Sequence, residues 1–276
     1  MMRIAVVFDS AGTLLNVYRV AKDVRRGRIL ENVASTNMVV KDRGCALVAL
    51  RADSSGFLEG LGPEMLLSAC IAASCVGLDI ICRGSECPAE SITEAALADM
   101  AATIGDMQDA VAAVKLKCKD TYYVNMGFVV DVPHGSIPYV LATGGRIFGG
   151  VAPMIGRLQS SGIDVYIASG DNRKSLSSLA RELGVPEAQV FDALSPSGKY
   201  GVVRTLQERY DRVVMVGDGI NDQKALEAAD IGVLTVQQEI PRPQELLDAA
   251  DVVVTDILDV ERVIEESLHN RDNTGK

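Results

Sequence analysis

A chain of 276 residues, 48% hydrophobic and 23% charged, holds enough apolar material for one large domain or two smaller ones. Its formal charge of −10 excludes a general nucleic-acid binder, whose footprint is basic, and argues against an anionic membrane surface as partner. With no Trp and only 4% aromatic residues, the core has to be built from Val, Ile, Leu and Ala.

In chain order, residues 3–8 predict an apolar strand that runs into Asp9-Ser10-Ala11-Gly12-Thr13-Leu14. A carboxylate at the end of a buried strand, followed by Gly and Thr, faces a turn rich in free backbone N–H groups. That pattern suits an Asx turn, or a nucleophile toward phosphorus where a metal and a cation neutralise the incoming phosphate. Residues 18–146 break the regularity. Arg19, Lys22, Arg25, Arg26 and Arg28 are opposed only by Asp23, which reads as a solvated basic face rather than a grip on an anionic substrate. Strands are expected at 37–41 and 46–51. The run 65–82, MLLSACIAASCVGLDIIC, carries Ser68, Ser74, Gly77 and Asp79; it reads as a buried helix to Cys75 and a strand from Leu78, not a membrane span. Helices at 88–102 and 106–117 and strands at 121–132 and 138–143 complete an inserted α+β module. His134, in a loop and without an evident partner, is expected to be inert. Of six cysteines none forms a CxxC pair, and no secretory pattern precedes residue 9. Reduced, mostly buried thiols in a cytoplasmic protein are expected.

From Val151 the pattern becomes regular. A helix at 151–161 ends at Gly162, and a strand at 164–168 leads into Ser169-Gly170-Asp171-Asn172. A helix at 173–183 stops at Gly184 with Pro186 behind it. Ser169 and the Gly170 amide can hold a phosphate or cap that helix. After a short strand at 190–191, Ser195-Pro196-Ser197-Gly198-Lys199 opens a helix to Glu208. Lys199 lies near its start, against the helix dipole, a mild violation expected at a working site. The stretch 213–226, VVMVGDGINDQKAL, is a buried strand ended by Gly217, then Asp218, Gly219, Asn221 and Asp222, then a helix from Gln223. Two carboxylates and an amide at the carboxyl end of a strand suit Mg²⁺, and the same residues also make an ordinary turn. Strands at 231–234 and 251–255 and a helix at 260–268 specify a mostly parallel sheet covered on both faces. The segment 239–266, with nine acidic and two basic residues, reads as solvated surface, and 270–276 as a frayed tail.

Together, Asp9-x-x-Gly-Thr-Leu, a strand ending in Ser169, Lys199 and Gly-Asp218-Gly-x-Asn-Asp222 resemble the haloacid dehalogenase-like superfamily. Within it, SGDNRKSLSSLARELGV, SPSGKYGVVRTLQ, MVGDGINDQKALEAADIGV and AADVVVTD resemble, in order, the phosphorylation domain of P-type ATPases. The resemblance covers 3–15 and 145–262. It implies an α/β fold with a Rossmann-like sheet at 1–17 and 146–270, and an α+β cap domain inserted at 18–145. It implies a soluble Mg²⁺-dependent phosphohydrolase for a small phosphorylated substrate, with no nucleic-acid partner, and leaves substrate identity and oligomeric state open. Asp9 would form an aspartyl-phosphate. Ser169, Gly170 and Thr13 would hold the phosphoryl group, and Lys199 would neutralise charge on it and on Asp9. Asp9, Asp218 and the Ala11 carbonyl would bind the ion, with Asn221, Asp222 and Asp171 around them.

Two departures stand out. Most phosphatases of the superfamily have a second Asp as general acid/base where this chain has Ala11, and such help is worth roughly 10²–10⁴ in rate. P-type ATPases carry Thr there, and an ion pump needs spanning helices. The alternatives are a phosphate-binding regulatory protein and a phosphotransferase.

Overall fold

Ile4–Phe8 is buried along its whole length, and a strand with no solvated side has to be covered on both faces. The structure, a computed structural model, describes residues 2–269 except 34, 41, 53, 75, 119–120, 122, 172 and 239–241. Two compact units emerge: Met1–Asn16 with Ile147–Lys276, and Val17–Arg146.

In the first unit Ile4–Phe8 lies at the centre of a six-stranded sheet. The order is Val252–Val254, Ile231–Thr235, Arg212–Gly217, Ile4–Phe8, Asp164–Ala168, Val190–Phe191, with every pair parallel. Alternate residues serve opposite faces. Ala5, Val7, Val213 and Met215 pack with Val202, Val203 and Leu206 of the helix Pro196–Gln207 and with Leu226 of Gln223–Ala228. The intervening Val6, Phe8, Val214 and Val216 are just as buried. Phe8 stands level with Val216 on one side and Ile167 on the other. The residues that follow these three strands therefore emerge along one edge, where open α/β sheets place their ligands.

The second unit has its own six-stranded sheet, in the order Arg28–Glu31, Leu15–Asp23, Ser136–Ile147, Tyr123–Asp131, Cys45–Leu50, Leu78–Arg83. Helices Leu67–Ser74, Ile92–Ala98 and Ile104–Lys117 bury Leu67, Ile92, Met107 and Val114 against Val48, Phe128 and Val140. Asp99, 1% exposed, ties a helix end to the sheet: its carboxylate accepts the N–H groups of Ala102 at 2.7 Å, Ile137 at 2.9 Å and Ala101 at 3.2 Å. Asp99→Ala strands two buried donors, on Ala102 and Ile137, and one at a part-buried position, on Ala101. It is expected to lower unfolding free energy by about 3 kcal/mol, read from urea denaturation, with Asp99→Asn losing less.

Three expectations are corrected here. In place of the strand expected at 37–41, Ser35–Val40 is a helix whose Val39 fills the second face of the sheet, and residue 41 lies outside the described residues. A short apolar run, the three residues 38–40, fits either element. The basic stretch is not wholly solvated: the Lys22 side chain is 11% exposed and bridges Asp106, at 2.8 Å, and Asp109, while Arg26 stays exposed beside Asp23. His134 has a partner, Asp131, with Nδ1 2.9 Å from its carboxylate, which raises the imidazole pKa. Cys45, Cys70, Cys87 and Cys118 are buried and Cys82 is half-buried; Cys75 and the tail 270–276 lie outside the described residues. Among the described residues no helix is long and apolar enough to cross a membrane.

Candidate active site

Asp9 leaves the central strand and the chain curls at once. The Ser10 carbonyl accepts the N–H groups of Leu14 and Leu15 at 2.9 Å and of Thr13 at 3.3 Å. This tight loop needs glycine at residue 12, where φ is +85° and a Cβ would stand 2.2 Å from Asp218 Oδ2. The same closeness recurs on the neighbouring strand: a Cβ at Gly217 would fall 2.6 Å from the Asp222 side chain. Two backbones thus approach two carboxylates more closely than any side chain allows.

Lys199 is brought in by the helix Pro196–Gln207, which is capped by Ser195 through a bond from the Gly198 N–H. Its ammonium is 1% exposed and donates to Asp9 Oδ1 and Asp222 Oδ1, each at 2.6 Å. The other Asp222 oxygen accepts the N–H groups of Gly219 at 3.1 Å and Asp218 at 3.2 Å. Asp222 therefore anchors the lysine and shapes its own loop. Burial works against the Lys199 charge, but Asp9 and Asp222 outweigh it and hold the pKa above its ordinary value. Asp9 goes the other way from a simple ion-paired carboxylate. Burial, then Asp222 and Asp218, push it well up, more than Lys199 pulls it down. Neighbouring carboxylates thus act on both groups, overriding burial at Lys199 and adding to it at Asp9.

Ligand oxygens of Asp9, Asp218 and Asp222 lie within 4.8 Å of one another. Hard oxygens in this number and crowding fit Mg²⁺, and with Asp222 engaged on both oxygens, Asp9 and Asp218 are the residues that would hold it. Close by in sequence, Thr13 is fully buried, and its Oγ1 has no hydrogen-bond partner, which fits a hydroxyl reserved for a ligand oxygen.

Ser169, 2% exposed, ends the strand on the other side of Asp9. Its hydroxyl lies 2.6 Å from Ser10 Oγ and 3.2 Å from Asp171 Oδ2, while Ser10 Oγ donates to the same Asp171 oxygen at 2.7 Å. The Asp171 N–H closes the turn on Ser169 Oγ at 3.1 Å. Asp171 thus links the loop after the strand Ile4–Phe8 to the Ser169 turn. Ala193, with φ +52°, supports that turn by donating its N–H to the Asp171 carbonyl. Gly170 is exposed at the turn, and Asn221 is exposed in the 3₁₀ turn Ile220–Asp222.

Two residues of this site escape the sequence reading. Ser10, next to Asp9, carries no signal beyond being small and polar. Arg242 falls in the acidic segment read as solvated, yet its side chain is 7% exposed and its Nη2 donates to Asp218 Oδ2 at 2.9 Å. Its position among many carboxylates hides that it faces one particular carboxylate.

The profile of the haloacid dehalogenase-like hydrolases matches residues 5–230. A soluble P-type ATPase-like phosphatase of Methanocaldococcus jannaschii is 30% identical over 260 residues, 94% of this chain and 92% of that protein. Copper-transporting ATPase 2 of Homo sapiens is 42% identical over 106 residues, which are 37% of this chain and 7% of the transporter. Among solved structures, a zinc-transporting PIB-type ATPase aligns with 99% of this chain and 42% of its own, at 17% identity and a TM-score of 0.48. The chain thus spans a small part of the one transporter and less than half of the other.

Proposed function

The chain belongs to the haloacid dehalogenase-like hydrolases, and from that premise we propose that it is a Mg²⁺-dependent phosphatase working through an aspartyl-phosphate on Asp9. The observation that carries this reading is the buried Asp9–Lys199–Asp222 constellation beside Asp218 at the carboxyl edge of the central strands. A nucleophilic carboxylate must be ionised, and burial among carboxylates opposes that, so the site needs a further cation. A Mg²⁺ ion held by Asp9, Asp218 and the Ala11 carbonyl would supply Lewis-acid neutralisation of phosphoryl oxygens.

The rest of the chemistry falls to the chain itself. An Asp9 oxygen attacks phosphorus while the phosphorus–oxygen bond to the leaving group breaks and its electron pair leaves with that oxygen. Lys199 draws Asp9 toward its ionised form and offsets charge on the transferring group. Ser169, the Gly170 amide and Thr13 would receive the phosphoryl oxygens, with Asp171 orienting Ser169. Water then attacks the phosphorus of the aspartyl-phosphate, releasing inorganic phosphate and the free carboxylate. Ala11 has no proton to give, so the reading favours leaving groups that depart as stable anions, such as those of acyl phosphates and anhydrides. Asn221 would steady the loop that carries Asp218. The unit Val17–Arg146 would act as the cap that selects a small phosphorylated substrate.

The test is hydrolysis of acetyl phosphate and p-nitrophenyl phosphate by the purified chain. Turnover with Mg²⁺ is expected, lost in EDTA and restored by added Mg²⁺. A protein that binds Mg²⁺ and inorganic phosphate by calorimetry yet turns over neither compound is a binding module, and the enzymatic reading falls. A stable phosphoprotein that an added acceptor discharges would instead mark a phosphotransferase, the reading that a missing general acid also favours.

A further inference from the structure

Thr13 is held through its backbone carbonyl, which accepts from Gln237 Nε2 at 3.1 Å, while Gln237 Oε1 accepts the Ile257 N–H at 2.9 Å. These partners fix which way round the amide lies: a carbonyl calls for its donor and an N–H for its acceptor. Gln237 comes just after the strand Ile231–Thr235 and Ile257 just after Val252–Val254, whereas Thr13 is in the loop that follows Ile4–Phe8. Arg212–Gly217, which leads into Asp218, stands between Ile4–Phe8 and Ile231–Thr235 in the sheet. One side chain therefore ties the loop of Asp9 to two loops beyond the Asp218 strand. The other backbone group of Thr13 is held less closely, its N–H reaching the Ser10 carbonyl at 3.3 Å.

Resting on the reading of Thr13 as a ligand for a phosphoryl oxygen, we propose that Gln237 is a positioning residue for phosphate, acting through the Thr13 backbone. Thr13 is fully buried, and its Oγ1 has no hydrogen-bond partner. A buried hydroxyl left in that state is costly, and it persists only where the surrounding structure stops it from turning to a nearby acceptor. Threonine is branched at Cβ and stiff about χ1, so the direction of its hydroxyl follows its backbone. Gln237 supplies the restraint on that backbone, and the hydroxyl is kept in place for a ligand oxygen that arrives later. The role needs an amide: a carboxylate at residue 237 has no donor for the Thr13 carbonyl, and an ammonium has no acceptor for the Ile257 N–H.

Calorimetry on the whole chain, with inorganic phosphate titrated in at saturating Mg²⁺, tests this apart from turnover. Thr13→Val keeps the shape and deletes the hydroxyl; it should bind phosphate about tenfold more weakly. Without ligands it should melt no lower than the native chain, since the hydroxyl it loses has no partner. Gln237→Met keeps the length and deletes both amide bonds; it should bind phosphate about fivefold more weakly. The double variant should bind no more weakly than Thr13→Val, because Gln237 then has no hydroxyl to position. A merely structural role predicts independent losses that multiply to about fiftyfold. If thermal melts show Gln237→Met unfolded, Gln237→Glu repeats the cycle: it keeps the Ile257 bond, and its added charge is common to both arms and cancels. A folded Gln237 variant that binds phosphate as the native chain does, or losses that multiply, overturns the positioning role and leaves the phosphatase reading standing. Native binding by Thr13→Val removes Thr13 from the site and this proposal with it. If the native chain itself takes up no phosphate, the phosphatase reading fails first.

Discussion

Asp9→Asn is expected to lower turnover of acetyl phosphate to background, a loss on the order of 10⁴–10⁶-fold, because the neutral amide lacks the carboxylate's charge and is too weak a nucleophile to attack phosphorus. The same substitution leaves the shape of the site intact. Asp9 is 3% exposed, sits between two flanking strands and accepts from Lys199 at 2.6 Å, all of which an amide oxygen can reproduce. It also removes one charge from the carboxylate crowd that pushes the Asp9 pKa up. The melting temperature without metal should therefore match or exceed that of the native chain. A phosphoprotein assay separates chemistry from folding: after reaction with a radiolabelled acyl phosphate, acid-precipitated native protein should retain label that hydroxylamine releases, and Asp9→Asn should retain none. Label on the Asp9→Asn protein, or turnover within a few-fold of native, would sink the assignment of the nucleophile.

The largest expected effect on stability is at Lys199. Lys199→Met keeps the length of the side chain but leaves Asp9 and Asp222, 3% and 0% exposed, without their shared cation. Removing one partner of a buried ion pair costs about 3–5 kcal/mol, since the surviving charge is left uncompensated. For a protein of this size the melting temperature should fall by roughly 10 °C. The control is the double variant Asp9→Asn/Lys199→Met. With one fewer buried carboxylate to leave stranded, it should recover about 1–2 kcal/mol of that loss, a non-additivity that a double-mutant cycle reads directly. Strict additivity would mean that Lys199 acts through its packing and not through the carboxylates.

What is legible in the sequence follows from how these residues are held. Asp9 and Ser169 directly follow apolar runs of five and four residues, and Asp218 follows a run of four ended by Gly217; those runs lie in the strands Ile4–Phe8, Asp164–Ala168 and Arg212–Gly217. Parallel strands buried on both faces leave uninterrupted apolar segments, so their carboxyl ends are marked. Leu15–Asp23 escapes notice for the opposite reason: Val20 and Ala21 are buried while Arg19 and Lys22 flank them, and neither alternation nor an apolar run survives. Arg242 is illegible because its role is set by where a loop ends in space. Nothing in a segment of nine acids and two bases says which base meets Asp218. The Ser10–Asp171 bond likewise joins loops 161 residues apart in sequence.

The order of the strands in the core sheet bears on how the chain reaches its native state during synthesis. Ile4–Phe8 is the first strand made, and its two neighbours are Asp164–Ala168 and Arg212–Gly217. At roughly 5–20 residues per second, the nascent chain carries this wholly apolar strand unpaired for about 10–40 s before both partners exist. The sheet of Val17–Arg146 draws most of its strands from its own stretch and can close in that interval. Until Arg212–Gly217 is made, the emerging insert stays tethered to an apolar strand that lacks a partner. The segment that carries Asp9 to the sheet edge is thus the strand of its sheet that waits longest for both its partners.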